Sequence, residues 1–252
     1  MRNVIVLQHI QSPYNMDNHL KRLKLSVVPP LLLIFTMAAI EFLKQTLSLD
    51  STVLALHPRH ADGIAGIVTH VMLHSSWRHL AVNSLPLLCL GWCIFYFYKD
   101  WAYAILGTTW VLTGILTFII GRDAWHLGAS GLIYGLFSFT FFSGVVNGTK
   151  PMIGASLLAV FLYGGMVWGI TPYFVKGNVS WEGHLSGFIS GMVATLLFHG
   201  KSSFAKEAKP QYDDAADEAL YEEWVASLNP RPTDADKKGE NDSKEDAEAK
   251  ES

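Results

Sequence analysis

Gly128-Ala129-Ser130-Gly131 opens an apolar run of 17 residues, Ser130 to Val146, and Trp181-Glu182-Gly183-His184 opens another of similar length. A helix needs roughly 20 apolar residues to cross the hydrocarbon, with about 17 as the lower limit. These two runs sit near that limit, and both begin with small or polar residues. Their first turns are therefore expected below the membrane surface, in a recess built by the protein. A hydroxyl is a poor nucleophile until a neighbouring imidazole takes its proton. Polar groups at that depth are costly and mark functional sites by default. Serine at one helix mouth and histidine at another thus predict both a membrane fold and its chemistry.

The rest of the chain agrees with a membrane body. Of its 252 residues 50% are hydrophobic and 16% charged, and mean hydropathy is positive. Six spans are predicted, at about Val27–Leu43, Leu80–Tyr98, Trp101–Ile120, Ser130–Val146, Met152–Ile170 and Gly183–Phe198. Charge is segregated: residues 1–200 hold 11 Lys+Arg against 7 Asp+Glu, whereas residues 201–252 hold 8 against 15. No concentrated basic face is formed, so no nucleic-acid partner is expected.

An even number of spans puts both termini on one side. Basic residues are commoner in the segments that share the N-terminal side, which places that side in the cytoplasm. The expected organisation is a cytoplasmic segment at 1–24, a six-helix domain at 25–200 and an acidic, largely disordered cytoplasmic tail at 201–252. Within the tail, Asp213–Leu228 has Leu220, Trp224 and Leu228 at spacing four, and its partner is unknown. The N-terminal stretch does not read as a cleavable signal, because Val4–Leu7 is too short an apolar core. Cys89 and Cys93 read as buried thiols packing as small hydrophobes.

Three polar stripes lie on three different spans. His79 and Asn83 are four apart on the second, as are Ser130 and Tyr134 on the fourth, beside Gly131 and Gly135. On the sixth, Gly183, Gly187 and Gly191 form a small-residue ridge of the kind that lets membrane helices approach closely. Contact along that ridge would bring His184 to Ser130. Chemistry then assigns Ser130 as nucleophile and His184 as its base and the acid for the leaving amine. His79 and Asn83 are donors for a developing oxyanion, and Tyr134 can stack on the imidazole. No intramembrane carboxylate offers a third member, so a dyad is expected.

These elements resemble the rhomboid intramembrane serine proteases. The matching residues are His74, His79 and Asn83 before and in the second span, Gly128-Ala129-Ser130-Gly131 with Tyr134 at the fourth, and His184 with Gly187 and Gly191 at the sixth. The resemblance implies an all-α integral membrane bundle of six transmembrane helices and a Ser130–His184 dyad. It also implies an oxyanion site from His79, Asn83 and the Ser130 amide, and transmembrane protein substrates cut near the outer face. Many members carry Trp-Arg in the first outer loop, whereas Trp77-Arg78 here abuts His79. The implied location is the plasma (inner) membrane, multi-pass, with the lipid bilayer as partner and without cofactor or metal.

Two other readings compete. A catalytically inactive rhomboid-like protein that binds membrane helices would usually lack one dyad residue. A metal-dependent membrane protein is suggested by His57, His60, His70, His74 and His79. It lacks His-Glu-x-x-His, and no acidic residue is expected near the histidines to act as ligand.

Overall fold

The computed structural model describes residues 16–174, 179–204 and 214–228, which are helical and contain no strand. It divides into two units, residues 1–206 and 207–252. The first unit begins with α1 (Met16–Ser26) and α2 (Val28–Thr46), separated by a turn at Val27 and restarted by a proline in the first turn of α2, where a missing N–H costs nothing. A long connection follows, made of short helical turns that include α3 (Gly66–Thr69). Then come α4 (Trp77–Phe97), α5 (Ala102–Ile120), α6 (Ser130–Asn147), α7 (Lys150–Tyr163) and α8 (Trp181–Leu197). The second unit contains α9 (Asp214–Leu228), on which Leu220, Trp224 and Leu228 are exposed. The expectations for the N-terminal stretch and for residues 205–213 and 229–252 of the tail lie outside the described residues.

Among the described residues, five helical stretches are long and apolar enough to cross a membrane: His19–Thr46, α4, α5, α6 and Lys150–Ile170. The sixth, α8, has 17 residues and so sits at the short limit expected for it. The fifth stretch departs from a uniform α-helix. After Tyr163 it tightens to a 3-10 segment, Gly164–Ile170, where three glycines weaken the helical preference.

Burial places α6 at the centre, with 67% of its span buried against 11% for the fifth stretch. Large apolar side chains cover the outside, including Phe35, Val82, Phe161 and Leu196, as a lipid-facing surface requires. The interior combines large apolar side chains, such as Leu87, Leu132 and Phe139, with small and polar residues. Gly131, Gly135, Gly187 and Gly191 lie where α6 meets α8, and a Cβ on Gly187 would fall 1.8 Å from the Gly131 carbonyl oxygen. The two backbones therefore touch, and the glycine ridge faces α6. Thr109 and Thr113 of α5 pack against Gly135 and Gly131 from the other side.

The connection between α2 and α4 is packed on the bundle. Ala55 and Leu56 are fully buried, and Leu56 pairs with His126 in an isolated antiparallel bridge, with N–O distances of 2.9 and 2.8 Å. That bridge ties the first long loop to the segment leading into Ser130. The Trp77 indole N–H donates to Gln45 Oε1 at 3.0 Å, and Gln45 donates to buried Glu41 at 2.7 Å. In this way α2 is fastened to the start of α4.

Candidate active site

Ser130 is the first residue of α6, preceded by Ala129 as cap. Its amide belongs to the first turn, where N–H groups have no acceptor within the helix. The turn that aims it depends on Gly128, whose φ of +115° strains any L side chain. A Cβ there would also sit 2.7 Å from His79 Cε1. The Gly128 amide donates to the His70 carbonyl at 2.8 Å, and the Ala129 amide donates to His74 Nε2 at 3.4 Å. His74 is fully buried, and burial, then His79 and Lys44, hold its pKa down to about 4. It is neutral at physiological pH and free to accept at Nε2.

His184 lies in the first turn of α8, which Ser180 caps by accepting from the Gly183 amide at 3.0 Å. The Ser180 hydroxyl also meets His126 Nδ1 at 2.6 Å. The start of α8 is thereby tied to the segment before Ser130. His184 is buried, with Nε2 3.0 Å from Ser130 Oγ and Nδ1 2.9 Å from the Gly169 carbonyl oxygen. A carbonyl only accepts, so Nδ1 carries the ring proton and Nε2 offers its lone pair to the serine hydroxyl. That tautomer is the one a general base needs.

Tyr134 lies one turn along α6 and stacks on the imidazole, with ring centroids 4.1 Å apart and planes 9° from parallel. Its hydroxyl donates to the Met166 carbonyl at 2.7 Å. Both carbonyls that orient this pair come from the 3-10 segment. Gly169 must be glycine, because a Cβ there would sit 2.0 Å from the Tyr134 oxygen. The sequence reading missed Gly169; its one signal is the glycine-rich run before Thr171.

On the other side of Ser130, His79 and Asn83 line Gly128, at 3.0 Å (Nε2) and 3.8 Å (Nδ2) from the position its Cβ would take. His79 Nδ1 contacts Ser75 Oγ at 3.2 Å, and its ring meets His74 edge-on. Asn83 Nδ2 is buried without a hydrogen-bond partner among the described residues. A buried donor left unpaired is costly. Here it borders the same turn as the Ser130 hydroxyl. A cavity of about 20 Å³ lies beside Ser130, lined by His70, Thr117, His126, Gly128 and Ser180 among others. About 10–15 Å³ suffices for one water.

One expectation needs correction. An acidic residue does lie beside part of the histidine group, since Asp123, in the α5–α6 connection, is 2.8 Å from His57 Nε2 and 3.4 Å from His60 Nε2. Chain separation hid Asp123, 66 residues from His57, whereas Asp62, five residues from His57 and 3.1 Å from its Nδ1, was legible in the sequence. His70 and His74 face the Ser130 turn instead.

The fold and these contacts define an all-α, multi-pass membrane protein with a serine–histidine pair held between two of its helices. The family model for the Rhomboid domain matches residues 62–201, more than half of the chain. The chain belongs to the rhomboid family. It is 37% identical over 166 residues to uncharacterized proteins of Mycobacterium tuberculosis and Mycobacterium bovis, covering 61% of this chain and 67% of each relative. A protein of Acanthamoeba polyphaga mimivirus whose description carries the word rhomboid is 28% identical over 146 residues, or 54% of this chain and 75% of that one.

Proposed function

We propose that the protein is an intramembrane serine endopeptidase that hydrolyses peptide bonds in or next to transmembrane helices of membrane-protein substrates. The observation that carries this reading is the 3.0 Å contact from Ser130 Oγ to the unprotonated nitrogen of a buried, stacked and backbone-anchored imidazole. In this mechanism Ser130 Oγ attacks the scissile carbonyl while His184 Nε2 takes its proton. His184 then gives that proton to the departing amine, leaving an acyl-enzyme. Water, for which the cavity beside Ser130 has room, attacks the acyl group as His184 Nε2 takes its proton, and His184 returns that proton to Ser130 Oγ as the acyl–oxygen bond breaks, freeing the acid product and the serine. The negative oxygen of each tetrahedral intermediate is met by the Ser130 amide, Asn83 Nδ2 and His79 Nε2. The protein lies in the plasma (inner) membrane with both termini cytoplasmic, so the site opens to the outer face. Covalent labelling by a fluorophosphonate or isocoumarin probe, lost in Ser130→Ala, tests the reading. An inactive helix-binding protein would show no labelling.

Asn83→Ala and His79→Ala are each expected to lower kcat by about 10²–10³-fold, the usual cost of one oxyanion donor. Cleavage should remain measurable in both. Turnover equal to wild type in both would remove this helix face from the mechanism.

Activity is expected to hold at neutral and mildly alkaline pH and to fall on acidification, because protonated His184 cannot accept the Ser130 proton. An ordinary imidazole titrates near about 6.5. His70 and His74, both held down to about 4 chiefly by burial, add nothing across that range. The acid limb of kcat/KM should therefore fit one ionisation. A limb steep enough to need two protons would contradict this.

A further inference from the structure

We propose that His57, His60 and Asp123 form a binding site for a divalent transition metal of the zinc class, distinct from the serine–histidine pair. The left-handed backbone at Arg59, with φ of 63°, folds the chain so that the His57 and His60 rings stack, centroids 4.0 Å apart and 6° from parallel. Asp123 arrives from the α5–α6 connection with one carboxylate oxygen at 2.8 Å from His57 Nε2 and 3.4 Å from His60 Nε2. The three ligand atoms all lie within 4.8 Å of one another. Tetrahedral zinc with bonds of about 2.0–2.1 Å sets its ligand atoms about 3.3 Å apart. Small ring rotations thus separate this arrangement from a coordination shell.

A second observation points the same way. The other nitrogen of His57 is 3.1 Å from Asp62. A carboxylate on the outer nitrogen of a ligating histidine is the usual second layer of a zinc site, fixing the tautomer that leaves Nε2 to bind metal. One divalent cation accepts a lone pair from each imidazole and balances both carboxylates. Any proton on His57 Nε2 leaves to solvent as the metal binds. Two nitrogens and one oxygen, with a fourth position open, suit zinc and its neighbours over magnesium or calcium, which demand oxygen ligands.

Asp123 and His60 are 69% and 51% exposed, so metal can enter from solvent. Once bound, it would staple the first long loop to the segment leading to Gly128. That segment already holds Trp125 against His57, at 4.3 Å between centroids, and His126 against Leu56. The role is bracing, and it does not depend on the protease reading.

Titration calorimetry with zinc chloride on the full chain in detergent tests the site, using wild type, Ser130→Ala, His60→Ala, Asp123→Ala and Asp62→Asn. Wild type and Ser130→Ala should each take up one zinc per chain with equal affinity, which separates this site from the proposed dyad. His60→Ala and Asp123→Ala should weaken binding at least 10-fold, and Asp62→Asn about 10–100-fold, the usual cost of losing a second-layer partner. Zinc should raise Tm in wild type and leave it unmoved in Asp123→Ala. The exposed positions of His60 and Asp123 let those variants fold. Absence of saturable zinc binding, or equal affinity in wild type and both ligand variants, would overturn the proposal.

Discussion

Ser130→Ala and His184→Ala are each expected to reduce cleavage of a helical membrane substrate to background, a loss of roughly 10⁴–10⁶-fold. Ser130→Ala should leave folding undisturbed, and His184→Ala should still fold and insert. Ser130 Oγ has its contact with His184 Nε2, and the imidazole keeps its place through Gly169 and Tyr134 whether or not the hydroxyl is present. The double variant should be no slower than either single one, because a nucleophile without its base and a base without its nucleophile fail at the same step. The measurement is kcat/KM for the three variants beside their melting temperatures. Substantial proteolysis by purified Ser130→Ala protein would end the protease reading.

Gly187→Val should act through distance. The new side chain begins where the Gly131 carbonyl oxygen already lies, 1.8 Å from the ideal Cβ position, so α8 must move away from α6. His184 rides on α8 and Ser130 on α6. Misplacing reacting groups by about 1 Å can cost roughly 10²-fold in rate, and forced overpacking costs about 1–3 kcal/mol in stability. Activity and Tm should therefore fall together. Gly154→Ala supplies the control, since nothing lies within 4 Å of a Cβ there, and it should change neither. Wild-type behaviour in Gly187→Val would mean that contact along this ridge does not position the imidazole.

Much of this was legible because membrane helices write their period plainly. His79 and Asn83, Ser130 and Tyr134, and the glycines of α8 each fall on one face at spacing four. Apolar length placed the spans within a few residues. The sequence was less informative where structure depends on loops and main-chain atoms. The shift to a 3-10 segment at Gly164 follows from a local run of glycines inside an apolar stretch that reads as uniform helix. Asp123 meets His57 only because the Leu56–His126 bridge draws two distant loops together. Of the two acidic residues beside His57, Asp62 is a neighbour in sequence that the reading passed over, and Asp123 is a neighbour only in space.

The hold on the His184 ring has a consequence for genetics. One of its two anchors is a carbonyl oxygen of Gly169, an atom every amino acid possesses. No codon change deletes it. A scan of residue 169 would register only the bulk forced against the Tyr134 hydroxyl, and would score the position as a spacing requirement. The tautomer of the His184 ring is thus carried by the polypeptide itself. This part of the site can therefore persist through wide drift in side chains, and comparisons of residue identity alone will pass over it.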